Sequence, residues 1–113
     1  MKVYGVDLLD REVAAQYASW FRALADPSRV QLVELLARAR RPMSVGEIVA
    51  AVGLAQSTVS QHLKILAEVR FVLVDPVGNA RHYRINENCV GCFPSAADVV
   101  MGRPAPKPVG VRE

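Results

Sequence analysis

The segment from Ser44 to Leu66 constrains this chain more than any other. It opens with Ser44-Val45-Gly46-Glu47, the Ser-x-x-Glu spacing of a capping box, continues through Ile48, Val49 and Val52, and breaks at Gly53-Leu54. Beyond the break, Ala55-Gln56-Ser57-Thr58-Val59-Ser60-Gln61-His62-Leu63-Lys64-Ile65-Leu66 runs at helical spacing, with Val59, Leu63 and Leu66 as an apolar stripe. A short helix, a tight turn and a second helix in succession predict a helix-turn-helix. The second helix has an unusual polar face. Gln56, Ser57, Ser60, Gln61 and Lys64 bring amides and hydroxyls with almost no net charge, where a solvated face ordinarily carries Glu/Lys pairs. Such groups hydrogen-bond phosphates and base edges in a major groove. A Ser/Gln-rich surface helix without a partner is the plainer alternative.

The flanks build a domain around that segment. After Asp10, a plausible N-cap, Val13, Ala14, Tyr17, Trp20, Phe21 and Leu24 recur at helical spacing. Three aromatics on one helix give it more apolar width than a small core needs, so residues 11–25 read as partly a dimer seam; a core helix of a monomer is the alternative. Asp26-Pro27 then caps and starts a second helix, apolar over much of its circumference at Val30, Leu32, Val33, Leu35, Leu36 and Ala37, which makes it the central helix. It ends at Arg38-Ala39-Arg40-Arg41-Pro42, cations that suit a helix C-terminus or, alternatively, a phosphate. Downstream, Phe71–Asp75 and Arg81–Ile85 are strand-like, separated by Pro76-Val77-Gly78-Asn79-Ala80. This hairpin exposes Asn79, Arg81 and Arg84 and has the character of a wing that lies along a DNA backbone, though a hairpin that only covers the core would look the same. A short helix over Ser95–Met101, with Ala96, Val99, Val100 and Met101 apolar, precedes a Pro/Gly-rich stretch without periodicity.

The expected architecture is mainly α with a β-hairpin wing, a dimeric winged helix-turn-helix. Residues 1–9 form an N-terminal segment, 10–101 the DNA-binding and dimerisation domain, and 102–113 a disordered tail. A net charge of +3 permits a nucleic-acid partner without demanding one. No apolar run approaches the roughly 20 residues of a membrane span and no signal-peptide pattern opens the chain, so the expected location is cytoplasmic, with no membrane partner. No nucleophile–base–orienter set, phosphate loop or paired catalytic carboxylates appear, so an enzyme is not expected.

Two motifs give the chain a resemblance: Leu24-Ala25-Asp26-Pro27-Ser28-Arg29 before the central helix, and Gln56 to Leu66 in the second helix of the helix-turn-helix. Over residues 10–101 it resembles the ArsR/SmtB family of bacterial winged-helix transcription regulators. The resemblance implies a homodimer on an inverted-repeat operator of double-stranded DNA, its affinity changed by a metal, metalloid or redox signal. By matching position, Gln56, Ser57, Thr58, Ser60, Gln61 and Lys64 take the DNA-reading role, joined by Asn79, Arg81 and Arg84 of the wing. The resemblance also places the dimer interface on the first and last helices, at Tyr17, Trp20, Phe21, Val99 and Val100. His62 matches too, but its place between Val59 and Leu66 makes it a packed or phosphate-facing histidine rather than a metal ligand.

The family's familiar sensor sites are missing. Many members carry a Cys-x-Cys box in the first helix of the helix-turn-helix, and the stretch from Met43 to Ile48 has no cysteine; others carry an Asp-x-His-x-x-x-His set on the last helix, which here has no histidine. What remains is Cys89-x-x-Cys92. Two thiolates at this spacing chelate a soft ion such as Zn, Cd, Cu(I) or trivalent arsenic, with further ligands needed from water, a small thiol, the other protomer, His82, Glu87 or Asp98. A thiol–disulfide switch and small packed cysteines are the competing readings, and Ni held by nitrogen and oxygen ligands would leave the thiols uninvolved. A ligand-free winged-helix regulator and a winged-helix protein-interaction module are the alternatives in function.

Overall fold

The computed structural model describes residues 2–3, 6–88 and 100–101, with side chains from residue 8 onward. The segment holding Cys89, Cys92 and Val99, most of the expected last helix, and the expected tail lie outside the described residues. The order is β1 (Lys2–Val3), β2 (Val6–Asp7), α1 (Arg11–Ala23), α2 (Pro27–Ala39), β3 (Met43–Ser44), α3 (Val45–Val52), α4 (Gln56–Glu68), β4 (Val72–Val77) and β5 (Ala80–Ile85).

Local chemistry sets most of these boundaries. Asp26 caps α2, its carboxylate accepting the Arg29 N–H at 3.1 Å, and Pro27 occupies the first turn, where a missing N–H has no cost. Asp10 precedes α1 in the N-cap position, but its side chain accepts no capping bond; its backbone carbonyl takes the Ala14 N–H at 2.9 Å. The capping box of α3 is complete. Ser44 Oγ accepts from the Glu47 N–H at 3.1 Å, and Glu47 Oε1 accepts from the Ser44 N–H at 3.0 Å. Gly53 ends α3 at φ +72°, a left-handed conformation that a side chain would strain.

Glu47 also receives both terminal nitrogens of Arg41, at 3.4 and 3.1 Å. The Arg41 hydrogen bonds first, and the Ser44 N–H second, hold its carboxyl below the usual value of 4.5. A depressed value means that this clasp stabilises the fold above the unfolded-state pKa and is lost as pH falls through the folded one. Glu47→Gln is therefore expected to lower the thermal midpoint near neutrality and to converge on the wild-type midpoint in acid, which melting followed by circular dichroism across pH 3 to 7 will check.

The core sits where α2, α3 and α4 meet the sheet. Leu32 and Leu36 of α2, Ile48 of α3, Val59, Leu63 and Leu66 of α4, and Val72 of β4 are almost wholly inaccessible, and Phe71, Tyr83 and Ile85 close the sheet side. The apolar stripe of the second helix thus points inward as its spacing requires. On α2 only one face is buried, and Val30 remains 48% exposed. The apolar stripe of α1 is less covered: Ala23 is buried, Val13 is exposed, and Tyr17, Trp20 and Phe21 are half-buried, with the Tyr17 and Trp20 rings stacked at 5.4 Å.

The sheet is larger than the expected hairpin. Its order is β3-β5-β4, all antiparallel, with Met43 opposite Tyr83 and Ser44 opposite His82. The hairpin turn is also tighter than expected. Pro76 and Val77 continue β4, paired with Arg81 and Ala80, which leaves Gly78-Asn79 as a two-residue loop with Gly78 at φ +60°. Pro76 fits because β4 is an edge strand. β1 and β2 form a separate antiparallel pair within the N-terminal segment.

Candidate nucleic-acid interface

Burial of Val59, Leu63 and Leu66 fixes the rotation of α4, and that rotation turns Gln56, Ser57, Thr58, Ser60, Gln61 and Lys64 to solvent. Two rows result. Gln56, Ser60 and Lys64, each one turn on from the last, face the hairpin across a groove of about 760 Å³. Ser57, Thr58 and Gln61 lie outside that groove on the exposed surface. The N-cap of the helix is Ala55, which offers no side-chain acceptor to the first-turn N–H groups. A helix start of this kind favours a phosphate oxygen.

Across the groove the hairpin contributes Asn79, Ala80, Arg81, Val74 and Tyr83, and the start of α3 contributes Ser44, Val45 and Gly46. Among the described residues no carboxylate lines it, so Lys64 and Arg81 give the groove positive charge around amide and hydroxyl donors. The strand register explains why Arg81 is there. Pro76 pairs with Arg81 and Val74 with Tyr83 on the face toward α4, while Leu73–Arg84 and Asp75–His82 alternate onto the opposite face.

Arg84 is therefore separated from the other sequence-predicted residues. Its Nε donates to Asp75 Oδ2 at 2.7 Å on the outer face of the hairpin, and it does not line the groove. Sequence reading treats Arg81 and Arg84 alike because each is a cation in a strand, although residues three apart in a strand point to opposite faces. It also uses Ser44 and Gly46 only as helix-start signals, and nothing in their spacing marks them as groove lining. Of the basic run at the end of α2, Arg38 pairs with Glu34 at 3.2 Å and Arg41 with Glu47, while Arg40 adopts a left-handed conformation at φ +56° to end the helix. His62 points away from the exposed rows, its side chain 17% exposed.

Among the described residues, no group of three or more His, Cys, Asp and Glu side chains is placed to hold a metal ion. Of the residues expected at a dimer seam, Tyr17 and Trp20 form the stacked pair on α1, Phe21 is half-buried beside them, and Val100 is 52% exposed. No helix among the described residues is long and apolar enough to cross a membrane.

Comparison with known proteins agrees with this geometry. Residues 26–73, from the capping Asp26 through α4 into β4, match the model of the bacterial regulatory protein, arsR family. The chain is 37% identical over 84 residues to a transcriptional repressor SmtB homolog from Synechocystis, an alignment covering 74% of this chain and 62% of that protein. It is 34% identical over 84 residues to a probable mercury resistance operon repressor from Streptomyces lividans, covering 74% of this chain and 61% of that one. The chain thus spans a little under two thirds of the length of these two relatives. Among solved structures, the homodimeric winged helix-turn-helix DNA-binding domain of Mb0332 from Mycobacterium bovis, a possible ArsR-family regulator, superposes with a TM-score of 0.65 at 30% identity, covering 86% of this chain and 90% of that one. With a matched helix-turn-helix, a superposable wing and relatives named as transcriptional regulators, the chain belongs to the ArsR/SmtB family of bacterial winged helix-turn-helix regulatory proteins.

Proposed function

We propose that this chain is a sequence-specific, DNA-binding transcription regulator that acts in the cytoplasm as a homodimer on an inverted-repeat operator. The observation that carries the reading is the groove between α4 and the hairpin, where uncharged donors from Gln56, Ser60 and Asn79 sit with Lys64 and Arg81 and, among the described residues, no carboxylate. Amides and hydroxyls on a protruding helix suit base edges, and flanking cations suit phosphates. The half-covered aromatic stripe of α1 supports self-association, as does the homodimeric relative from Mycobacterium bovis.

The proposal includes control of DNA affinity by a metal or metalloid ion. Cys89 and Cys92 supply two soft donors at chelating spacing, and the relative from Streptomyces lividans is a probable mercury resistance operon repressor. Zn, Cd and trivalent arsenic suit thiolates; Ni would favour nitrogen and oxygen ligands. Occupation of the thiols would change the spacing of the two recognition helices, and a coupling of about 1–3 kcal/mol gives roughly 5- to 150-fold regulation.

The test is a fluorescence-anisotropy titration onto the duplex upstream of the protein's own coding region, with thiols reduced, with and without Zn, Ni, Cd and arsenite. The expected result is a several-fold shift with the thiophilic ions that disappears in the Cys89→Ser/Cys92→Ser variant. A response that survives this double replacement would remove the thiols from the sensor. Tight binding that no ion alters would leave a redox switch or a ligand-free regulator. Weak binding with little salt dependence would favour a protein-interaction module.

A further inference from the structure

The two motifs that carry the family resemblance meet in space. Asp26 Oδ2 accepts the Arg29 backbone N–H at 3.1 Å, and from the first turn of α2 the Arg29 side chain reaches two other helices. Its Nε donates to the carbonyl oxygen of Ala23, the last residue of α1, at 2.6 Å, and its Nη1 lies 3.3 Å from Nδ1 of His62 on α4. A guanidinium has only donors, so Nδ1 accepts and the ring proton sits on Nε2, 4.0 Å from the same Asp26 oxygen. The bond to Ala23 completes the C-terminus of α1. The Leu24 N–H serves the carbonyls of Trp20 and Phe21, the Ala25 N–H serves that of Arg22, and Arg29 serves the last.

From this we infer that Arg29 and His62 are positioning residues for DNA binding, which fix the orientation of α4 relative to α1. The inference rests on the homodimeric DNA-binding reading above. If α1 forms the seam between protomers, its angle to α4 sets the distance between the two copies of α4. Half-sites on a duplex are a helical turn or a multiple of it apart, so that distance decides whether both copies dock together. The planar fork of arginine suits the task because its donors keep fixed directions, whereas an ammonium at the same place would turn freely. His62 faces inward and takes no part in reading bases; it transmits the orientation. Without the bridge, one α4 would still dock, and the gain from engaging both half-sites at once would fall.

The experiment starts from a duplex that the wild-type chain selects out of a random pool, used intact and with one half of its repeat scrambled. Binding of each duplex is measured for His62→Leu, His62→Asn and Arg29→Lys, with thermal unfolding of every variant as the folding control. His62→Leu and Arg29→Lys are expected to lose on the order of tenfold affinity for the intact repeat, the scale of one or two hydrogen bonds, and nothing on the half-scrambled duplex. His62→Asn places a carbonyl oxygen near the position of Nδ1 and should recover most of the loss. Equal losses on both duplexes, no loss on either, or failure of His62→Asn to recover would overturn the positioning role. If His62→Leu does not fold, Arg29→Lys decides the outcome alone. A wild-type chain that enriches no duplex would overturn the reading of function, and the positioning role with it.

Discussion

Leu63→Ala is expected to lower the free energy of unfolding by about 2–5 kcal/mol, read as a shift of the urea midpoint with little change in slope. Leu63 is fully buried at the middle of α4, between Val59 and Leu66, in the cluster that also holds Leu32, Leu36 and Ile48. Truncation removes its transfer free energy and leaves a cavity that helices on one side and a sheet on the other close only in part. The effect reaches function through the same residue. Rotation of α4 is fixed by this stripe, so loosening it frees the exposed rows that would face DNA. By contrast, Ser57→Ala on the same helix is expected to change stability by no more than about 0.5 kcal/mol, because its side chain is exposed.

The second large effect concerns charge. On the proposed reading, Lys64→Ala combined with Arg81→Ala should weaken binding to every duplex and reduce the slope of log affinity against log salt by about two, close to 0.9 for each phosphate left without its cation. Gln61→Ala should behave differently, leaving the salt slope unchanged while narrowing the difference between the selected duplex and its single-base variants by about 1–3 kcal/mol. Anisotropy titrations at several salt concentrations separate the two. Arg84→Ala serves as a comparison: its guanidinium is held by Asp75 on the outer face of the hairpin, so it should alter the slope less than Arg81→Ala.

Helices are easier to read from the sequence than strands, for physical reasons. α2 and α3 combine an apolar period with start or stop signals, Asp26-Pro27 for α2 and the Ser44–Glu47 box with Gly53 for α3, whereas α4 is legible from its apolar stripe alone. β3 has two residues, too few to show an alternation, and becomes a strand only because β5 lies beside it. Pro76 reads as a turn residue, yet an edge strand tolerates it, so the turn contracts to Gly78-Asn79. The end of α4 carries no glycine. Arg70 takes the left-handed position at φ +66°, with its N–H on the Ala67 carbonyl and the Phe71 N–H on that of Leu66. That closure depends on tertiary support, including Asn86 Nδ2 donating to the Arg70 carbonyl at 2.8 Å, from a residue distant in sequence.

The candidate interface divides in the same way. The exposed polar face of α4 is legible because burying Val59, Leu63 and Leu66 leaves it nowhere else to go. Which hairpin cations share its groove depends on strand register, and the sequence alone does not fix which face of the hairpin packs inward. The meeting of Arg29 with His62, 33 positions apart, is a product of folding that neither motif announces.

The edges of the three-stranded sheet also bear on how molecules of this protein meet one another in a crowded cell. One edge is β3, only two residues long, and the other is β4, whose Pro76 has no N–H to offer a passing strand. Neither edge presents the long ladder of free backbone groups that seeds strand addition and amyloid-like stacking. Pairing of folded copies through the edges of this sheet is thereby disfavoured.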